Sequence, residues 1–329
     1  MKLISRYILP LALLGMVSAG VTSCEKKDYA LPTAKDVLQN DAMKRTLGPS
    51  IVGDTVEFVY AMGILPSKGK LVSAEVEASI EGAVGTNMEN RSYYTNSSGV
   101  DVGIEIGGPA TTNKNVTTVT FNKDTSAAAL RYYYVVPAAA RGQQVTFTFR
   151  GKSSNGESVS YKLGPYKVAK MDMKRLLTVN DGTNMYISIE DMAVYNAAGA
   201  AANANKIDLV YLYRTYTSTF KHALVAPAAD PMYLPDITLP PGVNKNTKIQ
   251  RVFSLQDYNL ARLQFGIYID DLDFEKLDIS NAVNYAINMK AEAGIWLKTA
   301  DNKYLAYVYF NSATDGTKSA VISMKRYAL

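Results

Sequence analysis

Short runs of alternating apolar and polar residues dominate residues 54–171 of the chain. In one run, Val145, Phe147 and Phe149 fall on one side of an extended strand, and the intervening threonines fall on the other. Seven strands are predicted, over residues 55–62, 71–80, 100–106, 116–121, 130–136, 144–149 and 158–168. Because turn-forming residues separate these strands, the pattern predicts an immunoglobulin-like antiparallel β-sandwich.

After residue 171, extended runs alternate with stretches that suit helices. The predicted strands cover residues 185–189, 207–213, 222–226, 294–299, 304–310 and 319–326. Asn196 is expected to cap one helix, and Ser254 is expected to cap another that ends at Gly266. Residues 276–291 form either a further helix or an irregular excursion. The second domain is therefore predicted to be α+β, with helices on an antiparallel sheet, and the whole fold to be mainly β.

The N-terminus has the pattern of a secretory signal. Lys2 and Arg6 precede an apolar run over residues 7–17, and small residues then lead to Cys24. Residues 21–24, with the sequence VTSC, resemble a lipobox. This resemblance implies cleavage before Cys24, with diacylglycerol on its sulfur and an acyl chain on its new amino group. The alternative is an uncleaved anchor over residues 7–23, but this run is short for a transmembrane helix and contains proline and glycine.

These patterns divide the chain into four parts. Residues 1–23 are interpreted as a signal peptide and residues 24–48 as a lipidated tether, with a short helix over residues 35–44. Residues 49–171 form the immunoglobulin-like β-sandwich, and residues 172–329 form the α+β domain. The charged residues directly after Cys24 loosely resemble the surface-export signals of Bacteroidetes lipoproteins, which favours the outer face of the outer membrane.

Composition narrows the possible functions. The chain is 47% hydrophobic, so it can bury a core, and its one cysteine rules out an internal disulfide. The formal charge is +5, and loss of Lys2 and Arg6 with the signal would bring the mature chain closer to neutrality. Lysines and arginines are scattered among acidic residues, so we expect no nucleic-acid partner.

Several stretches together resemble a family of two-domain Bacteroidales outer-membrane lipoproteins of unknown function. They are YKLGPYKVAKMDMKR, KIDLVYLYR, HALVAPAADPMYLP, YIDDLDF, EAGIWLKTADNKYLAYVYFN and AVISMKRY. The resemblance covers most of the chain after the signal. It implies an outer-membrane lipoprotein with an immunoglobulin-like first domain, and it carries no active site.

Catalytic chemistry has few candidate residues. His222 is the one histidine, it lies at the start of a predicted strand, and the chain contains no G-x-S-x-G nucleophile elbow. We therefore interpret His222 as a structural or surface residue and expect the protein not to be an enzyme.

An acidic cluster is the candidate metal site. Asp270, Asp271, Asp273 and Glu275 follow one another in the segment IYIDDLDFEKLD. If this segment is extended, Asp271, Asp273 and Glu275 share one face, where calcium could neutralise them. The alternative is a solvated acidic loop or the start of a helix. No other cofactor is expected.

Aromatic residues are the candidate ligand contacts, because their rings stack on sugars. The chain has 23 tyrosines, and most of those in predicted strands are expected to pack within sheets. Tyr93 and Tyr94 lie instead among polar loop residues, and Trp296 lies beside a row of strand tyrosines. These three residues are the predicted ligand contacts.

Together these expectations describe a non-catalytic lipoprotein, anchored in the outer membrane and exposed at the surface. In the first hypothesis it binds a glycan or another nutrient near an outer-membrane transporter. In the alternative it is a structural, adhesin-like or accessory assembly protein whose ligand is another surface protein.

The lipid anchor gives a direct prediction. Cys24→Ala removes the thiol that would carry diacylglycerol, so we expect the variant to incorporate no labelled fatty acid, whereas Ser23→Ala keeps a small residue before Cys24 and keeps the label. Metabolic acyl labelling of the two variants tests this, and a labelled Cys24→Ala protein would contradict the lipobox interpretation.

Overall fold

The computed structural model describes residues 35–252 and 269–329, whose regular secondary structure is mostly antiparallel strands. Residues from Val37 onward pack as one compact unit with two sandwiches. The strands of the first sandwich are β1 (Gln39–Lys44), β2 (Thr55–Gly63), β3 (Leu71–Ala78), β4 (Asn87–Met88), β5 (Arg91–Thr95), β6 (Asp101–Glu105), β7 (Thr111–Asn113), β8 (Val116–Thr120), β9 (Ala127–Val135), β10 (Gln144–Ser153) and β11 (Ser158–Lys167). A 3-10 turn, Ala138–Ala140, precedes β10.

Two sheets form this sandwich, in the orders β1-β2-β9-β4 and β11-β10-β3-β8-β7, and β5 and β6 form a separate hairpin. Aromatic side chains fill the space between the sheets, because alternate residues of β2, β9 and β10 point inward. The rings of Phe58 and Phe147 are 4.5 Å apart, and those of Tyr60 and Phe149 are 5.2 Å apart. Such contacts stabilise a core beyond the burial of area alone.

The seven strands predicted for this domain are confirmed as β2, β3, β6, β8, β9, β10 and β11. The short helix predicted over residues 35–44 is wrong, because Gln39–Lys44 forms β1 at the edge of β2. Ala42 lies opposite Tyr60 and is buried, as is Leu38. The sequence predicts that residues 24–48 are a tether, but Gln39–Lys44 instead form hydrogen bonds with the free edge of β2.

The described residues of the second sandwich form ten strands and two short helices. They are β12 (Asp172–Asn180), β13 (Tyr186–Ser188), β14 (Ala193–Tyr195), α1 (Ala197–Ala202), β15 (Ile207–Arg214), β16 (Lys221–Val225), β17 (Lys248–Val252), α2 (Asp271–Glu275), β18 (Tyr285–Met289), β19 (Gly294–Lys298), β20 (Tyr304–Thr314) and β21 (Ser319–Ala328). The order β12-β21-β20-β19-β17 is called here the meander sheet, and β14-β13-β15-β16-β18 the facing sheet. Short 3-10 turns lie at Ala204–Lys206 and Pro231–Tyr233.

The predicted fold class, mainly β with a sandwich followed by an α+β domain, is confirmed. Asn196 caps α1, since its Oδ1 accepts a hydrogen bond from the backbone N–H of Gly199 at 2.8 Å. The helix predicted from Ser254 lies outside the described residues. No helix forms across residues 276–291, where an irregular stretch leads into β18.

Both faces of the meander sheet are buried. One face, with Val308, Phe310 and Ile322, packs on the facing sheet in the core of the second sandwich. The other face, with Tyr307 and Tyr309, packs in a separate cluster with α2, the residues that link the sandwiches, and Ile51 of the first sandwich. This second cluster is called the junction core.

Asp271 holds the link between the sandwiches. Its side chain is buried, and its Oδ1 and Oδ2 accept hydrogen bonds from the backbone N–H of Lys170 at 3.1 and 2.8 Å. Oδ1 also accepts a hydrogen bond from the N–H of Met171 at 3.1 Å. These three hydrogen bonds to a buried side chain tie α2 to the linker.

The hydrogen bonds of Asp271 predict that its replacement lowers the stability of the protein. Asp271→Ala leaves two buried N–H groups without their acceptor, so we expect the free energy of unfolding to fall by about 2 to 4 kcal/mol. Asp278→Ala is the control, because Asp278 is exposed and binds only Ser280 among the described residues. Urea denaturation compares the two variants, and an equal loss in both would contradict the role of Asp271.

Candidate functional site

A pocket of about 340 Å³ opens at one end of the second sandwich. Its polar wall comes from β16, from β18 and from the turn between β20 and β21, and an apolar wall comes from Met289, Ala291 and Ala313. The polar side chains of this His222 pocket are Ser218, Lys221, His222, Asn288, Lys290 and Asp315.

A chain of hydrogen bonds fixes the base of the pocket. The His222 ring is buried, its Nδ1 lies 2.6 Å from the Tyr211 hydroxyl, and its Nε2 lies 3.0 Å from Asp315 Oδ1. Lys221 Nζ donates to Asp315 Oδ2 at 3.1 Å. Because Asp315 belongs to the meander sheet hairpin and His222 to the facing sheet, this network ties the two sheets together at the pocket.

Two residues of the pocket have left-handed backbone conformations. Lys221 has a φ of 50° and Asn288 has a φ of 54°. Asn288 donates its N–H to the carbonyl of Phe220 at 2.6 Å, beside a shift in the pairing of β16 and β18. A left-handed conformation costs a residue such as lysine roughly 1–2 kcal/mol, and backbone strain of this kind gathers at functional sites.

Charge is also distinctive at the pocket. Hydrogen bonds from Lys221, His222 and Tyr213 lower the pKa of Asp315 to about 2, so its carboxylate is ionised at physiological pH. Burial lowers the pKa of His222, although Asp315 opposes this effect. His222 is therefore neutral near pH 7, with Nε2–H directed at Asp315 and Nδ1 accepting from Tyr211.

This arrangement does not support a Ser-His-Asp hydrolase. A general base needs a ring nitrogen that can take the proton of a nucleophile, but Tyr211 and Asp315 occupy both nitrogens of His222. The His222 ring therefore joins Tyr211 to Asp315, and the residues around it line the pocket.

The β5–β6 hairpin carries two of the predicted ligand contacts. Tyr93 is turned toward the first sandwich: its hydroxyl donates to Glu89, and the Arg131 guanidinium lies 4.1 Å from its ring centroid. Gly103 opposes Tyr93, and a Cβ there would lie 2.9 Å from the ring. Tyr94 points the other way and is 51% exposed, whereas Tyr93 is half-buried, so Tyr94 is the more accessible of the two.

Trp296 is buried in the junction core, where its ring meets that of Phe274 edge to face at 5.3 Å. The ligand contact predicted for Trp296 does not fit this position. The reason is that β19 lies inside the meander sheet, whose outer face is covered by α2. Helix α2, which contains the acidic segment, does contact Trp296, but this contact lies in the packed junction core and not at a ligand site.

The carboxylates of the predicted calcium site have separate protein partners. The segment forms helix α2 and not a strand, with Asp270 and Asp273 in a reciprocal capping box at its start. Asp271 binds the linker, and Glu275 accepts a hydrogen bond from the Tyr327 hydroxyl at 3.2 Å. In residues 35–252 and 269–329, no group of three or more histidine, cysteine or acidic side chains is arranged to hold a metal ion.

Cys24 and the signal peptide lie outside the described residues. Within the described part of the chain, no helix has the length and apolar character needed to cross a membrane.

Several pocket residues could not be identified from the sequence, namely Ser218, Lys221, Asn288, Lys290 and Asp315. Asp315 and Gly316 form a turn signal between two predicted strands, which places Asp315 at the end of a hairpin. Nothing local indicates that this turn meets His222, which lies 93 residues away.

Known proteins resemble both domains. Residues 35–168 match the family model described as domain of unknown function DUF4466, and residues 169–329 match domain of unknown function DUF8576. The crystal structure of a DUF4466 family protein from Parabacteroides merdae is similar to the chain at 45% identity and a TM-score of 0.82, covering 89% of this chain and 99% of that chain.

Other similarities are too weak to carry an argument. A cohesin module from the family 33 glycoside hydrolase of Clostridium perfringens is 12% identical, with a TM-score of 0.24, over 39% of this chain and 96% of that chain. No curated protein matches the chain.

The histidine network predicts a pH dependence of stability. The folded-state pKa of His222 lies below its ordinary value of 6.5, so the unfolded chain gains a proton at pH values where the folded chain does not. We therefore expect the free energy of unfolding to fall as the pH drops below about 6.5.

His222→Gln removes this titration while keeping an N–H donor for Asp315. Since His222 is the one histidine in the sequence, the difference between the two proteins isolates its effect. Urea denaturation between pH 5 and pH 7.5 should give a shallower dependence for the variant, and identical slopes would contradict the prediction.

Proposed function

Because the chain belongs to the DUF4466 family, whose description names no activity, we propose from its own sequence and geometry that it is a lipid-anchored, non-catalytic glycan-binding protein of the outer membrane. The lipobox supports the anchor, and the charged residues after Cys24 favour the cell surface. In this proposal the protein holds its ligand near a transporter, and the His222 pocket is the binding site.

The observation that carries the proposal is unused hydrogen-bonding capacity in a concave pocket. Asn288 uses its backbone N–H within the sheet, but its side-chain amide has no partner among the described residues, nor has the Ser218 hydroxyl. Both groups can donate and accept, as the hydroxyl groups of a sugar require. The apolar wall can meet the C–H face of a sugar ring, and the fixed Asp315 network preorganises the polar wall.

A protein partner is the second candidate. Tyr94, Val100 and Ile104 of the β5–β6 hairpin are 51%, 57% and 52% exposed, while Tyr93 and Arg131 hold the other face of the hairpin in place. Apolar side chains on a fixed, projecting element favour contact with another surface protein.

The glycan proposal predicts a specific loss of affinity. Asn288→Gly removes the side-chain amide but tolerates the positive φ, so we expect the variant to fold and to bind an oligosaccharide about fivefold more weakly. Asn302→Gly is the matched control, since Asn302 also has a positive φ, at 57°, but lies at the opposite end of β20 from Asp315.

The experiment is isothermal titration calorimetry of the full chain in detergent with a panel of neutral and acidic oligosaccharides. Weaker binding in Asn288→Gly with unchanged binding in Asn302→Gly supports the pocket. Absence of binding to the whole panel would refute glycan capture, and capture of another surface protein through Tyr94 would then take its place.

A further inference from the structure

The charged groups of the His222 pocket differ in how many hydrogen bonds they already make within the protein. Both oxygens of Asp315 are occupied, Oδ1 by His222 and Oδ2 by Lys221, so the carboxylate is committed to holding the two sheets together. Asp315 therefore offers a ligand little hydrogen-bonding capacity, although its charge remains part of the pocket.

The cations of the pocket, in contrast, keep free donors. An ammonium group has three N–H donors. Lys221 donates one to Asp315 and one to the Tyr213 side chain, so one remains for a ligand. Lys290 is exposed at the pocket, and no carboxylate in the described part of the chain pairs with it. With His222 neutral, Lys221 balances the charge of Asp315, and Lys290 gives the pocket one further positive charge with free N–H donors.

We infer that the His222 pocket binds an acidic sugar, whose carboxylate lies between Lys290 and the remaining N–H donor of Lys221 while Asn288 and Ser218 bind ring hydroxyls. This inference rests on the proposed glycan binding and names the class of sugar. The carboxylate supplies the acceptors that the lysines lack, and a neutral sugar leaves Lys290 without an anionic partner.

The test compares two ligands that differ only at their carboxyl groups, a trisaccharide of galacturonic acid and its methyl ester. Calorimetry of the full chain in detergent at low and high salt measures both. We expect the acid to bind about tenfold more tightly than the ester at low salt, with the difference shrinking at high salt.

Variants connect this preference to the pocket. Lys290→Gln should reduce the ratio of the two affinities to near one, whereas Lys162→Gln, an exposed lysine of β11 in the first sandwich, should leave the ratio unchanged. A persisting tenfold preference in Lys290→Gln would overturn the role of Lys290.

Other outcomes separate the inference from the proposed function. Equal binding of acid and ester, both weakened by Asn288→Gly, would overturn the acidic-sugar inference while leaving glycan binding intact. Absence of binding to both ligands and to all neutral oligosaccharides would overturn both. Acetylated glutamate carries a carboxylate without a sugar, and binding of it as tight as that of the trisaccharide would overturn the assignment to a sugar.

Discussion

The fold depends on burial of both faces of the meander sheet. This sheet carries apolar residues on both faces, Val308 and Phe310 on one and Tyr307 and Tyr309 on the other. It therefore needs a covering layer on each side. The facing sheet covers the first set. The second set is covered by α2, the linker and Ile51, so the outer face of one sandwich is completed by contact with the other. This requirement explains why residues 37–329 pack as one unit although they contain two sandwiches.

Sequence patterns predicted the strands well where one face is exposed to solvent and the other is buried, because apolar and polar residues then alternate along the strand. They failed for β1, whose polar residues form a strand because the edge of β2 is available. For α2, the extended segment suggested by the alternating acids is wrong, and the alternative prediction, the start of a helix, is what forms. Asp270 and Asp273 are three residues apart and form a capping box, and this spacing was the available signal for a helix.

The candidate site was less predictable than the fold for a physical reason. Its central contact joins His222 to Asp315 across two sheets, and no local propensity encodes the meeting of a strand with a distant turn. The exposure of Tyr94 could be predicted because its neighbours in the sequence are polar. Trp296 was misjudged because the layer that covers it comes from α2, which only the assembled fold brings into place.

The junction also has a mechanical consequence. In the anchored protein that we propose, the lipid is attached near the N-terminus and the ligand sits in the second sandwich. Any pull on a retained ligand therefore reaches the membrane through the linker at Lys170 and Met171. The three hydrogen bonds of Asp271 and the packing of the junction core lie on this path, so they carry part of the force that passes between the two sandwiches.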